Sequence, residues 1–146
     1  EAFRPDPEDF IEFAIAPGVT RTYDVAVSDT ADGPMIFDWS PMLKAIVSEV
    51  DRGVDTGTIA ATFHNTMAQI VVEGARRASY ERVLLTGGCF QNRYLADRAA
   101  QRLREEGFRP YQHQRVPPND GGIAVGQVIA ALSATKGGKH VSGGSR

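Results

Sequence analysis

Two short stretches carry residues whose types and spacing could do chemistry, "VLLTGGCFQN" (83–92) and "PPNDGG" (117–122). In the first, an apolar run stops at Gly87 and Gly88, and the chain's only cysteine, Cys89, follows at once. Two chemistries are open here. A thiol beside a base or at a helix N-terminus becomes a nucleophile. Cys89 precedes a helix pattern, and His64 and His113 lie in neighbouring elements. Alternatively, the glycines let backbone N–H groups approach a ligand, and the helix N-terminus favours negative charge. Asn92 then caps that helix or bonds a ligand hydroxyl. The plainest reading is a tight turn with a cap, and a cysteine buried as a small apolar residue. Neither a GxGxxG fingerprint nor a Walker GK[ST] loop occurs in the chain.

In the second stretch, two prolines stiffen the approach and Gly121 and Gly122 free the exit. Asn119 and Asp120 are thereby presented at the mouth of a small-residue helix. A carboxylate so placed can ligate a metal or hold a ligand. Either residue can equally be the helix N-cap. His64, in "FHNT", lies beside the apolar stripe of its helix and reads as packed. His113 reads as exposed near a strand end, and His140 falls in the tail. No HxxxH or HExxH pair occurs anywhere in the chain. Arg76 and Arg77, and the arginines of 97–107, are interspersed with acids and read as solvated helix faces.

These stretches need elements to position them. Alternation in "TYDVAVSD" (22–29) predicts a strand, "DGPM" (32–35) a turn and "MIFDW" (35–39) a second strand of a hairpin. A helix is predicted over 40–53, with Ser40 as cap, Pro41 in the first turn, Gly53 as stop and an apolar stripe of Leu43, Ile46, Val47 and Val50. A longer helix over 56–77 places Ile59, Phe63, Met67, Ile70, Val71 and Gly74 on one side. A short buried strand (81–88), a helix (92–107) with Leu95, Ala99 and Leu103 inward, and a strand (109–113) form a strand–helix–strand unit. The closing helix (122–134) aligns Gly122, Gly126 and Ala130 for close packing. The order is that of an α/β domain.

A chain of 146 residues with net charge −2 fits one domain with a core and has no global basic field for nucleic acid. One cysteine excludes an internal disulfide and a cysteine-built zinc site. That suits a reducing cytoplasm. No apolar run is long enough to span a bilayer. The opening "EAFRPDPEDF" enters mid-pattern without Met, as a piece of something longer would. The end, 135–146, is Gly- and Ser-rich and reads as a flexible tail.

The three stretches "DWSPMLKAIVSEVDRGVDTGTIAATFHNTMA", "LLTGGCFQNRYL" and "HQRVPPNDGGIAVGQ", in this order and spacing, resemble the C-terminal part of HypF-type carbamoyltransferases, the hydrogenase maturation family. The same region is similar to the universal tRNA threonylcarbamoyl-transfer subunit and to antibiotic O-carbamoyltransferases. The resemblance covers 35–134 closely and the earlier part loosely. It implies one lobe, residues 1–134, of an actin-like, sugar-kinase-like ATPase (ribonuclease H-like) fold, with a central mixed sheet and flanking helices. It implies nucleotide contacts at Gly87, Gly88 and Asn92, a phosphate side lined by Asn119, Gly121 and Gly122, and His64 facing the cleft. Asp120 would ligate a divalent metal (iron, zinc or magnesium), completed by histidines absent from this chain.

The family reaction it implies converts carbamate with ATP to carbamoyl adenylate. The carbamoyl group then passes to the C-terminal cysteine of a HypE-type acceptor, towards the cyanide ligands of nickel–iron hydrogenase. The family usually has Val where this chain has Cys89, which places that side chain in the core. The family's upstream domains and first lobe fall outside the chain, so the lobe alone is expected to be inactive and to pair, with the missing lobe or with itself, through an exposed face. An O-carbamoyltransferase acting on a small molecule, and a stand-alone protein-binding module, are the alternatives. Neither nucleic acid nor membrane is an expected partner.

Overall fold

The computed structural model describes residues 14–28 and 34–137; the first thirteen residues, half of the expected 32–35 turn and the expected tail from 138 on lie outside them, while 135–137 continue the closing helix. Two strands, β1 (Ala26–Ser28) and β2 (Ile36–Asp38), pair antiparallel with Val27 opposite Phe37, as a hairpin requires. Helix α1 (Ser40–Asp51) and the long helix α2 (Thr56–Ala78) follow. Strand β3 (Arg82–Leu85), helix α3 (Arg93–Glu105) and strand β4 (Arg109–Gln112) come next, and helix α4 (Ile123–Gly137) closes the described chain. β3 and β4 are parallel, with Leu84 opposite Tyr111, so the expected strand–helix–strand unit is present. The expected central mixed sheet is not formed among the described residues. The hairpin and the parallel pair are separate two-stranded sheets, because no described strand bonds to both.

The core lies between α2 and α3. Ala68, Val72 and Ala75 of α2 meet Leu95, Ala99, Ala100 and Leu103 of α3, with Leu85 of β3 beneath. Alanine at the contact lets the two helices approach closely, and Leu103 and Val72 fill the space between them. The predicted side of α2, from Ile59 to Gly74, is only half-buried. Its fully buried positions are Gly57, Val72, four alanines and the polar run Thr62, His64, Asn65 and Thr66. Asp55 caps α2 by accepting from the Thr58 N–H at 2.9 Å. Gly57 is needed because a Cβ there would lie 2.5 Å from the Ala14 carbonyl oxygen.

α1 departs from its predicted stripe. Met42 and Glu49 are buried, whereas Leu43, Val47 and Val50 are 45%, 59% and 60% exposed. A buried acid rotates the helix. Glu49 accepts from the Tyr23 hydroxyl at 2.6 Å and pairs with Arg21 at 2.6 Å. Ser40 does not cap the helix; its own N–H donates to Asp38 at 2.9 Å. Hydrogen bonds from Arg21, then from Tyr23, hold the Glu49 carboxyl below its ordinary value. Burial first, and the bond to Glu49 second, push the Tyr23 phenol up to about 12.

Two outcomes follow in urea and thermal unfolding. Met42→Ala should lower stability by about 2–5 kcal/mol, whereas Val47→Ser should change it by less than about 0.5 kcal/mol. The reverse order would restore the predicted stripe. A raised phenol pKa means the folded state holds that proton more tightly. Its stabilisation is complete below the ordinary tyrosine value of 10.0 and is lost as pH rises towards about 12. Tyr23→Phe should therefore flatten the fall in Tm over that window.

Candidate functional site

The parallel β3–β4 pair brings two strand ends to one edge, and ligands of open α/β sheets bind outside the carboxyl ends of such strands. Beyond β3 the chain turns through Gly87 at φ +107 and ψ 158, a region essentially confined to glycine. No atom lies within 4 Å of where a Cβ would stand, so the backbone angle, and not space, requires glycine. The Gly87 N–H donates to the Pro118 carbonyl at 2.7 Å. This bond pins the 117–122 loop against the glycine turn and joins the two stretches that could carry chemistry. It also commits the Gly87 N–H within the chain, which leaves Gly88, exposed in the next position, as the open glycine of the turn. Thr86 and His113, one from each strand end, hydrogen-bond at 3.0 Å. Beside them opens a recess of about 240 Å³ lined by Leu85, Phe90, Gln91, Arg93, Gln112 and His113.

Asn92 stands at the floor of this turn with its amide fixed at both ends. Its Oδ1 accepts from the Leu95 N–H at 2.8 Å and caps α3. Its Nδ2 donates to His64 Nε2 at 2.8 Å. His64 is 3% exposed, and its Nδ1 lies 2.8 Å from the Ala60 carbonyl oxygen. A carbonyl only accepts, so Nδ1 carries the proton and Nε2 is the acceptor. His64 therefore does not face a cleft as expected. Both of its nitrogens are used inside the chain, and its reach to the surface runs through Asn92.

In the loop, the cap falls to Asn119. Its Oδ1 accepts from the Gly121 N–H at 3.1 Å in the short turn Asp120–Gly122 that leads into α4. Gly122 has a packing reason as well, since a Cβ there would lie 2.8 Å from the Pro117 carbonyl oxygen. Asp120 is left exposed, and its carboxylate makes no hydrogen bond or ion pair to the described residues. As a metal ligand it offers one hard carboxylate, and no group of three His, Cys, Asp or Glu forms among the described residues. A divalent cation takes four ligands if zinc and about six if magnesium, so the described residues do not make a metal centre by themselves.

Other expectations are corrected. Cys89 is an exposed free thiol, not a core side chain, because the turn that carries it projects beyond the strand end. Neither His64 nor His113 bonds to it. Of the predicted line, Gly122 meets the Pro117 carbonyl but Gly126 has no described atom within 4 Å of a Cβ position, and the helix exposes Ile123, Val128, Ile129 and Leu132 at 56–59% each. Asn65 and Thr66 were missed. Asn65 donates to the Val19 carbonyl at 2.9 Å and accepts from Arg98 at 3.1 Å and Tyr94 at 3.3 Å. Thr66 accepts from the Tyr23 N–H at 2.8 Å. The signal was a polar run, "HNT", interrupting an apolar helix. No helix among the described residues is long and apolar enough to cross a membrane.

Fold and site together define an α/β lobe with a glycine platform and an acid-bearing loop at a parallel strand edge. Residues 11–127 match the family model described as "Carbamoyltransferase, Kae1-like Domain, second subdomain". The chain belongs to the HypF carbamoyltransferase family. Carbamoyltransferase HypF of Synechocystis sp. is 37% identical over 124 residues, covering 85% of this chain and 16% of that protein. Carbamoyltransferase HypF of Rhodobacter capsulatus is 40% identical over 101 residues, 66% of this chain and 13% of that protein. Among solved structures, full-length HypF in its phosphate- and nucleotide-bound form overlays 94% of this chain at a TM-score of 0.81, with 28% identity, over 18% of its own length. The chain thus spans about a sixth of the length of the relatives it matches.

Gly87→Ala should cost about 1–3 kcal/mol through its backbone angle and should speed proteolysis of the 115–122 loop. Gly126→Ala, in a helix with open space around it, should instead stabilise by up to about 1 kcal/mol. Urea unfolding distinguishes the two; equal effects would remove the assigned role of the Gly87 turn.

Proposed function

We propose that this chain is one lobe of an actin-like, ribonuclease H-like carbamoyl-transfer domain and supplies nucleotide contacts to it. The observation that carries the reading is the Gly87–Pro118 bond, which sets the glycine turn and the Asp120 loop side by side at the strand edge. A phosphate- and nucleotide-bound structure within the family supports it. In this reading Gly88 and the turn backbone approach the nucleotide, and Asn92 bonds it with the N–H not used by His64. Gly121 and Gly122, held by Asn119, line the phosphate side. Asp120 contributes one carboxylate to a divalent cation whose other ligands come from outside this chain.

The reaction we assign to the whole protein is transfer of a carbamoyl group from carbamoyl adenylate to the C-terminal cysteine thiolate of a HypE-type acceptor, in the cytoplasm, for hydrogenase maturation. The acceptor thiolate attacks the carbamoyl carbon, the bond to the adenylate phosphate oxygen breaks, and AMP leaves. Donors held in advance around that phosphate stabilise the charge it gains. Cys89, exposed and without a base bonded to it, takes no covalent part. The exposed apolar side chains of α1 and α4 support a second lobe packing against this one, because contiguous apolar surface left bare marks an interaction face.

In the full-length protein, Asp120→Ala should lower carbamoyl transfer about a hundredfold, the scale for removing one electrostatic stabiliser, with an unchanged circular dichroism spectrum. Normal transfer by that variant would end the role given to Asp120. Cys89→Val should retain near-normal transfer; loss with stability intact would return the thiol to the mechanism.

A further inference from the structure

Among the buried titratable groups, His64 is the one whose hydrogen bonds lead directly to the site. The Ala60 carbonyl forces the proton onto Nδ1, and Nε2 is then a pure acceptor facing Asn92 Nδ2 at 2.8 Å. The Leu95 N–H independently forces Asn92 Oδ1 to face the helix. The two constraints agree. With the oxygen on the cap, the nitrogen must face the histidine, and the histidine must accept. Phe63 and Tyr94 stand edge-on to the imidazole, with ring centroids at 5.5 and 5.6 Å, and hold its plane. An amide donates two hydrogens, and His64 takes one, which fixes the direction of the other. A cap alone would need only the oxygen, which Ser or Asp could equally supply.

We infer that His64 is a positioning residue that acts through Asn92, locking the asparagine amide so that its second N–H is presented to the nucleotide. This rests on the proposal that Asn92 contacts nucleotide. His64 touches neither nucleotide nor the transferred group, and the site gains a donor that needs no reorientation when the ligand arrives.

The test measures ATP affinity by calorimetry in the full-length protein. His64→Phe keeps the ring and removes the acceptor. His64→Gln restores an acceptor oxygen at similar reach. Asn92→Ser keeps a cap and removes the amide. His64→Phe and Asn92→Ser should each weaken ATP binding about tenfold, the scale of one lost hydrogen bond. The double variant should be no weaker than the worse single, since the two act as one unit, and His64→Gln should recover most of the affinity. Wild-type affinity in His64→Phe with affinity lost in Asn92→Ser would overturn the positioning role and leave the nucleotide reading standing. Unchanged affinity in Asn92→Ser would overturn that reading, and the inference with it. Should His64→Phe fail to fold, imidazole nitrogen shifts of the unmodified protein labelled with 15N-histidine still decide. They should report His64 as Nδ1-protonated with Nε2 accepting a hydrogen bond, and an Nε2-protonated ring would overturn the inference.

Discussion

The structure depends on a polar seam buried along one helix. Thr62, His64, Asn65 and Thr66 are each 3% exposed or less, yet none of their buried side-chain nitrogen or oxygen atoms lacks a partner. Thr62 bonds within α2, to the Thr58 carbonyl, and the other three reach segments distant in the chain. Thr66 accepts from the backbone of Tyr23, Asn65 ties the 19–21 segment to α3, and His64 bonds the residue that begins α3. A buried polar group left unpaired costs about 1–3 kcal/mol, so every one of these elements is constrained to a single register against α2. Apolar burial between α2 and α3 supplies the driving force. The seam supplies the geometry.

That division explains why the site is precise although its visible parts are loops. The glycine turn is bounded by a strand on one side and by a capped helix on the other. Its floor is tied to the buried histidine and its rim to the Pro118 carbonyl. The loop after β4 has little structure of its own and is held by that rim bond and by the Asn119 cap. Because Asn119 serves as cap, Asp120 keeps its carboxylate uncommitted. Of two neighbouring residues able to cap the same turn, one is spent on structure and the other keeps a free carboxylate.

The surfaces left bare follow the same logic. α4 is apolar on most of its circumference and meets almost nothing among the described residues, and α1 turns Leu43, Val47 and Val50 outward. The parallel β3–β4 pair exposes Leu84 and Tyr111, neighbours in register, on the face away from α3. Parallel strands are ordinarily covered on both faces. In the proposed reading these bare faces are where a second lobe packs, and among the described residues no group of three His, Cys, Asp or Glu gathers that could hold a metal by itself.

The sequence by itself determined the order of elements, the strand–helix–strand unit and the inward face of α3, because Leu95, Ala99 and Leu103 recur at helical spacing with charges elsewhere. It also marked both chemical stretches, since Gly-Gly after an apolar run and Asn-Asp between prolines and glycines are local signals. Tertiary structure alone decided what those residues do. Periodicity counts apolar side chains, so it gave α1 the stripe Leu43–Val50 and could not know that Glu49 would be buried against Tyr23 and Arg21. It read His64 as merely packed, and the family resemblance read it as a cleft residue. Its actual place behind Asn92 comes from a contact 28 positions away in the chain. Local spacing reports which residues can share a face. Which partner satisfies a buried donor or acceptor is settled only when distant segments meet, and in this protein those long-range bonds set the site.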